Sequence, residues 1–303
     1  MKKLLIAFFF LLPLLSKAHG ITDFMFYTYT VKEKNFSAVV DELKERLNKK
    51  GLPVLRALTI SEAIKARGST DFPNYTVLLA CDMKDKEDLL IRVPFMSNLI
   101  PCSIAIYQNK DGSVSITIVN EKPYIMKYSK ELSKEKKRLI RNVYKDLRAV
   151  LESVGKLKRT SISKVQVKEL MANLKDVFFE TSFTFKGLSF DDAKMLLKTS
   201  LDGINMNILS IEDIRLQTPK YSFMLACNLT YGERVLRDFP QFGTLAPCRV
   251  YIYEKPDGTV GVGYVNIQTL IKLYRRHLPK EAVEVFEKAD QDIKSAIKEV
   301  KGE

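Results

Sequence analysis

The chain carries one pattern of residues twice, and this duplication constrains its fold more than any other feature. Residues 75–120 and 221–266 align without a gap at an offset of 146, and 17 of their 46 positions are identical. Apolar residues at helical spacing follow both segments at the same offset. We therefore expect two copies of one fold, so that any architecture proposed for the first copy must also suit the second.

Both copies show the same order of predicted elements. Residues 25–31 are β-branched and aromatic, residues 36–47 carry an apolar helical face, and residues 53–60 again suit a strand. Within the duplicated segments, apolar strands flank hairpin turn signals at Asp111-Gly112 and Asp257-Gly258. The pattern predicts an α+β fold with a β-α-β4-α order in each copy. An antiparallel meander, with a small helix between its third and fourth strands, would carry helices on one face.

The first twenty residues have the order of a secretory signal peptide. Lys2 and Lys3 precede an apolar run that is too short for a bilayer span, and small residues follow at Ala18 and Gly20. We predict a signal peptide at 1–20, repeat 1 at 21–156, a linker at 157–172 and repeat 2 at 173–303. Eight extra residues in repeat 1, near 61–73, are expected to form a surface insertion. The mature protein is expected to be periplasmic or secreted, with no transmembrane segment.

The charge of the chain is basic and unevenly distributed. The formal net charge is +13, and removal of residues 1–20 would take away three lysines and leave +10. Lysines and arginines are concentrated between residues 127 and 159, as on the wet face of a helix followed by a linker. Such a segment also suits an anionic membrane surface or an acidic partner, whereas export argues against nucleic acid. The Lys-, Glu- and Ile-rich composition without tryptophan suggests a thermophilic source.

Short motifs recur at matching positions of the two copies. In the first copy they are Ala80-Cys81-Asp82, Leu99-Ile100-Pro101-Cys102, Tyr107 and Asp111-Gly112; in the second they are Ala226-Cys227-Asn228, Leu245-Ala246-Pro247-Cys248, Tyr253 and Asp257-Gly258. This set resembles the bacterial family called domain of unknown function 302, over nearly the whole mature chain. The resemblance implies a helix-grip fold like that of the TATA-binding protein, without implying DNA binding. Some members look dimeric, so a fused duplication would imitate a dimer within one monomeric chain.

Four cysteines form two equivalent pairs, Cys81 with Cys102 and Cys227 with Cys248. If the strands that carry them are antiparallel neighbours, each pair lies at one end of its sheet and within disulfide range. Three interpretations fit: two disulfides in an oxidising compartment, buried core thiols, or a redox-active or ligand-binding pair. A metal site is not predicted, because one histidine remains after the signal peptide and no Cys-x-x-Cys is present.

Further candidate binding residues surround these cysteines. They are Asp82, Pro101, Tyr107, Asn228, Pro247, Arg249, Tyr251 and Tyr253. The two prolines precede strands, where they would fix the backbone. The tyrosines and Arg249 are expected on the sheet face opposite the helices, where they would line either an exposed groove or an interface between the repeats. The interface is the expectation, because a semi-apolar sheet face needs a partner.

No enzyme motif is present in the sequence. No Ser/His/Asp motif is recognisable around the one remaining histidine, and neither a Gly-rich phosphate loop nor an HExxH motif occurs. We assign no catalytic residue and no cofactor. The sequence predicts a non-enzymatic module of the cell envelope that binds a small molecule or a protein partner. The alternatives are a thiol-disulfide or sulfur-handling protein that uses the cysteine pairs, and a structural partner of a membrane complex.

Overall fold

The structure is a computed structural model. It describes residues 22, 24–81, 83–84, 86–158, 172, 179–204, 206–245, 248–274 and 278–302, with the side chains of Cys227 and Cys248 left out. The predicted signal peptide and most of the predicted linker lie outside these ranges. Within them, no helix combines the length and the apolar character needed to cross a membrane.

Repeat 1 is an antiparallel sheet with helices packed on one face. Its elements are β1 (Phe26–Val31), α1 (Phe36–Lys49), β2 (Val54–Leu58), α2 (Ile60–Lys65), β3 (Tyr75–Ala80), α3 (Glu87–Arg92), a first 3-10 helix (Pro94–Asn98), β4 (Cys102–Gln108), β5 (Val114–Val119), α4 (Glu121–Lys127), α5 (Lys134–Val154) and β6 (Lys156–Leu157). The strand order is β2-β3-β4-β5-β1-β6. The predicted meander is therefore confirmed, with β1 closing one side and the short β6 added at that edge.

Repeat 2 has the same order of main elements. They are β7 (Glu180–Phe185), α6 (Phe190–Gly203), β8 (Asn207–Arg215), β9 (Tyr221–Cys227), α7 (Leu229–Asp238), a second 3-10 helix (Pro240–Leu245), β10 (Cys248–Glu254), β11 (Val260–Val265), α8 (Ile267–Tyr274) and α9 (Lys280–Lys301). Its sheet has the order β7-β11-β10-β9-β8, with antiparallel neighbours. Two tandem β-α-β4-α domains are thus the architecture of the chain.

The hairpin turns form at the two Asp-Gly pairs that the sequence analysis identified as turn signals. Gly112 and Gly258 have φ of +83° and +79°, a region that favours glycine. The preceding Asp111 and Asp257 each accept a hydrogen bond at 3.0 Å from the backbone two residues later. Both turns therefore fix the register of the strand pairs β4–β5 and β10–β11.

The two repeats pack about a pseudo-twofold axis. The Tyr221 hydroxyl donates a hydrogen bond of 3.0 Å to the carbonyl of Pro94, and the Tyr75 hydroxyl donates to the carbonyl of Pro240. These four residues are equivalent in pairs, since 146 positions separate Tyr75 from Tyr221 and Pro94 from Pro240. Reciprocal contacts of this kind are the mark of an isologous interface, here formed within one chain.

The insertion of repeat 1 is not a simple surface loop, contrary to expectation. It contains α2, and its Ile64 and Phe72 side chains are buried. Asp71 forms an ion pair with Arg237 of α7 at 2.8 Å, and the guanidinium lies 5.2 Å from the centre of the Phe72 ring. The extra residues therefore extend the contact between the repeats.

Candidate functional site

An apolar cavity of about 100 Å³ lies in repeat 2, between the sheet and the helices that cover it. On the sheet side it is lined by Ala226 and Val265, which end β9 and β11 or lie beside those ends. On the helical side it is lined by Val235 of α7, Leu270 of α8 and Phe286 of α9. Its surface is almost entirely apolar, which is the usual character of a small-molecule site.

Two small residues leave this space open. Gly232 lies inside α7, where a glycine weakens a helix relative to alanine. A Cβ atom built at Gly232 would meet no atom within 4 Å, so close packing does not require the glycine. Ala289 lines the same cavity from α9. The cavity thus exists where two helices present almost no side-chain volume.

The equivalent region of repeat 1 carries larger side chains. Lys86 takes the position of Gly232, Tyr124 that of Leu270 and Val143 that of Ala289. All three side chains are buried. The Tyr124 ring packs 4.4 Å from the ring of Phe179, centre to centre. At these three positions of the cavity lining, the side chains of repeat 1 are larger than those of repeat 2.

The polar groups at the edge of the cavity are already engaged. The Asn228 side chain caps α7 by accepting hydrogen bonds of 3.1 and 3.2 Å from the backbone of Thr230 and Tyr231. The Tyr231 hydroxyl donates to Asp292 at 2.7 Å. Partial burial and this hydrogen bond raise the pKa of Tyr231 to about 12. A ligand in the cavity would therefore meet apolar surface and no free charge.

The predicted tyrosine face is an interface, as the sequence analysis expected, rather than an open groove. Tyr107 and Tyr251 are buried. Tyr107 stacks on Tyr75 with 5.8 Å between ring centres, and Tyr251 lies 6.5 Å from Tyr221 in the same way. Tyr253 is half-buried and lines a wide cleft between the repeats. The sheet faces of the two copies are thus packed together at their centre, and clefts remain where Tyr253 and Tyr107 lie.

Arg249 lies in the centre of this interface and is only 4% exposed. Its guanidinium donates to the carbonyl of Ser97 and, at 2.7 Å, to the hydroxyl of Ser103. The guanidinium also lies 5.7 Å from the centre of the Phe223 ring. Burial lowers the pKa of Arg249 to about 10. Among the described residues it forms no ion pair, so hydrogen bonds and the ring compensate its charge.

The cysteine pair of repeat 1 lies beside this arginine as two thiols that interact with each other without a disulfide bond. Cys81 and Cys102 are both buried, and the disulfide considered for them is not present. A hydrogen bond with Cys81, followed by burial, raises the pKa of the Cys102 thiol well above its usual range. A raised pKa opposes formation of the reactive thiolate. Of the three interpretations, buried core thiols fit this pair best. In the described part of the chain, no cluster of ligating side chains suits a metal ion.

The remaining candidates have other surroundings or lie outside the described residues. Pro101 is buried directly before β4 and follows a cis peptide bond. Asp82 and Pro247 lie outside the described ranges, and the side chains of Cys227 and Cys248 are likewise not described. The predicted candidates thus gather at the repeat interface and at the ends of the strands, with Asn228 alone lining the cavity.

Sequence reasoning missed the residues that make the cavity. Gly232, Leu270 and Ala289 belong to no motif and have no chemically reactive group. The available signal was the loss of side-chain volume at these positions relative to repeat 1, which the internal alignment contains. The three positions become informative only when the structure shows that they line the same cavity.

Comparisons with known proteins match both repeats of this chain to one family. The sequence profile of a family described as "Domain of unknown function DUF302" matches residues 27–154 and 181–299. An "Uncharacterized protein" of Aquifex aeolicus (strain VF5) is 56% identical over 117 residues, which cover 39% of this chain and 81% of that protein. A crystal structure of an uncharacterized conserved DUF302 protein from Bacillus stearothermophilus is 15% identical, with a TM-score of 0.36. It covers 40% of this chain and 98% of that one.

Proposed function

Because the chain belongs to the family of domain of unknown function DUF302, which assigns no activity, we propose a function from the cavity itself. Repeat 2 binds a small, uncharged, apolar molecule between its sheet and α7, α8 and α9. The protein is a non-enzymatic binding protein of the cell envelope. The signal-peptide pattern of residues 1–20 supports this location.

The observation that carries the proposal is an apolar cavity kept open at a cost to the helix. A glycine inside a helix costs about 0.5–1 kcal/mol relative to alanine, and nothing near Gly232 excludes a methyl group. The equivalent positions of repeat 1 show that the same fold accommodates larger side chains. Small residues retained at these positions in one copy only are expected of a binding site.

The size and lining of the cavity define the class of ligand. Engineered apolar cavities of roughly 150 Å³ in other proteins stay dry and bind benzene or xenon. The cavity of repeat 2, at about 100 Å³, suits a single ring or a short alkyl chain. Affinity would come from burying apolar surface, at roughly 25 cal/mol per Å². A charged head group would have to remain outside.

A thermal-shift titration with benzene tests the proposal. The wild-type protein should show a melting temperature that rises with benzene concentration, since a ligand that binds only the folded state stabilises it. Gly232→Leu should fill the cavity and abolish the rise. Gly203→Leu is the matched control, because Gly203 lies at the exposed end of α6. An equal rise in both variants, or none in the wild type, would refute the proposed site.

The alternative role in thiol-disulfide exchange has less support. Cys81 and Cys102 are adjacent, as such a role requires, but they are buried and the pKa of Cys102 is raised. Redox-active cysteines are exposed and have lowered pKa values. We therefore place the function in the cavity and treat the cysteine pair as part of the core.

A further inference from the structure

The outer face of α5, in repeat 1, carries a stripe of exposed positive charge. The basic stripe consists of Lys134, Arg138, Arg141 and Lys145. Their spacing of four, three and four residues places them along one side of the helix. All four are exposed, and none forms an ion pair within the described part of the chain. The stripe extends over about 16 Å, at 1.5 Å per residue.

Two other basic residues of α5 have partners within the protein. Arg148 forms an ion pair with the buried Glu121 at 2.8 Å. Lys137 donates a hydrogen bond of 2.6 Å to the carbonyl of Ser129. The basic stripe has no such partner among the described residues, although like charges four residues apart weaken a helix. Its charges therefore do not stabilise the fold.

The second repeat provides an internal comparison. At the positions equivalent to the basic stripe, α9 carries Lys280, Glu284, Glu287 and Gln291. Lys280 there forms an ion pair with Glu284 at 3.5 Å. Both helices have the same pattern of apolar residues on the inner face, yet of the two only α5 has a continuous positive outer face. The fold does not require the stripe, because the equivalent helix forms without it.

We propose that the basic stripe of α5 docks the protein onto an anionic lipid surface. A lipid surface needs little besides charge, since each Lys or Arg close to anionic head groups contributes roughly 1 kcal/mol to binding, or about fivefold. The stripe contains no aromatic side chain, and the exposed residue beside its basic positions is Asn142. Protein interfaces instead have aromatic cores in which charged residues are depleted. The composition of the stripe therefore fits an anionic lipid surface better than an interface with an acidic protein.

Sedimentation with lipid vesicles tests this proposal on the full chain. We expect the protein to bind vesicles that contain phosphatidylglycerol and phosphatidylcholine in equal parts, but not vesicles of phosphatidylcholine alone. Binding should weaken as salt rises from about 0.05 M to about 0.5 M, because the Debye length falls severalfold. The N-terminal segment has Lys2 and Lys3 before its apolar run, so any binding that it adds must be recognised by its persistence in the stripe variant described below. Equal binding to both, or binding to neither, would overturn the proposal.

Two double variants with the same net charge test whether vesicle binding depends on the basic stripe itself. Arg138→Glu with Arg141→Glu gives α5 the residues that α9 has, and should reduce partitioning onto the anionic vesicles at least about 30-fold. The matched control is Lys186→Glu with Lys298→Glu, two exposed lysines of repeat 2 without an ion pair among the described contacts. The control should retain most of the binding. A similar loss in both variants would assign the effect to net charge and contradict a site on α5.

An acidic polypeptide is the competing partner. Binding of the wild type to polyglutamate-coated beads, with no binding to the anionic vesicles, would assign the stripe to a protein and overturn the proposal. Circular dichroism should give a melting temperature for the stripe variant at least as high as that of the wild type, because the glutamates relieve the like-charge repulsion along α5. That result would confirm that the change acts on docking rather than on folding. Because benzene binding is measured without lipid, failure here leaves the proposed cavity function separately testable.

Discussion

Arg249 donates a hydrogen bond of 2.7 Å to Ser103, the residue that holds the equivalent position in the other repeat. A residue can contact its own counterpart only on or near the symmetry axis, so this pair marks the pseudo-twofold axis of the molecule. In a dimer of identical single domains, the same position would bring two arginines or two serines together. Fusion of the repeats has allowed one copy to supply the donor and the other the acceptor.

The Arg249–Ser103 contact should be measurable as an energetic coupling. Arg249→Leu should lower the free energy of unfolding by about 2 kcal/mol, because the Ser97 carbonyl and the Ser103 hydroxyl lose a buried donor. Ser103→Ala should lower it by about 1 kcal/mol. In urea unfolding, the double variant should lose about 1 kcal/mol less than the sum. Additivity within about 0.3 kcal/mol would show that the pair does not interact.

Glu180 should make stability depend on pH. Burial raises the pKa of this carboxyl group, although it accepts a hydrogen bond from Tyr251. The folded state then holds the proton more tightly than the unfolded state does. Glu180 therefore contributes its full stabilisation below the pKa of the unfolded state, and this stabilisation is lost as pH rises through the raised pKa of the folded state.

The measurement is the free energy of unfolding of wild type and Glu180→Gln at pH 4 and pH 7. The glutamine variant keeps a hydrogen-bonding side chain but cannot ionise. Its free energy of unfolding, relative to that of the wild type, should therefore be higher at pH 7 than at pH 4. A difference between the two proteins that is independent of pH would exclude this account. Tyr251→Phe is a useful control, because it removes the hydrogen bond without removing the carboxyl group.

Two glycines should respond in opposite ways to the same added methyl group. A Cβ at Gly263 of β11 would lie 2.5 Å from the Tyr251 ring, so Gly263→Ala should destabilise the protein by about 1–3 kcal/mol. Gly232→Ala should stabilise it by about 0.5–1 kcal/mol, because the cavity accepts the methyl group and the helix gains a better residue. Urea unfolding of both variants provides the measurement. Destabilisation by Gly232→Ala would show that the cavity is not open at this position.

Cys81 and Cys102 should be protected from alkylation in the folded protein. Both thiols are buried, and the pKa of Cys102 is raised, so iodoacetamide at neutral pH should modify the peptides that contain them only after unfolding. Mass mapping with and without prior reduction is the appropriate measurement. Labelling that requires reduction would reveal a disulfide, and rapid labelling of the native protein would reveal exposed thiols.

The sequence alone predicted the backbone better than the site, for a physical reason. Alternating apolar residues and the turns at Asp111 and Asp257 specify strands and hairpins locally, so the order of elements could be derived without tertiary information. The burial of the tyrosine-bearing sheet face between the repeats could also be predicted, because a semi-apolar sheet face needs a partner. The prediction of an insertion on the surface failed because Phe72 packs with residues far away in the chain.

The cavity, by contrast, depends on an absence of atoms that no local pattern records. Gly232 and Ala289 are ordinary helix residues in sequence, and they lie 57 positions apart. Only packing of α7 and α9 on one sheet makes their missing volume continuous. The disulfide considered for Cys81 and Cys102 shows the same limit, because spacing predicted proximity correctly but could not determine the state of the sulfur atoms.

A crystal of the protein pressurised with xenon would test the central claim most directly. Xenon enters dry apolar cavities, and its anomalous signal identifies the position without assumptions about the natural ligand. We predict a xenon site in repeat 2 among Val235, Leu270 and Phe286, and its loss in Gly232→Leu. Ordered water at that position, or a wild-type cavity that excludes xenon, would contradict an apolar binding site in the second repeat.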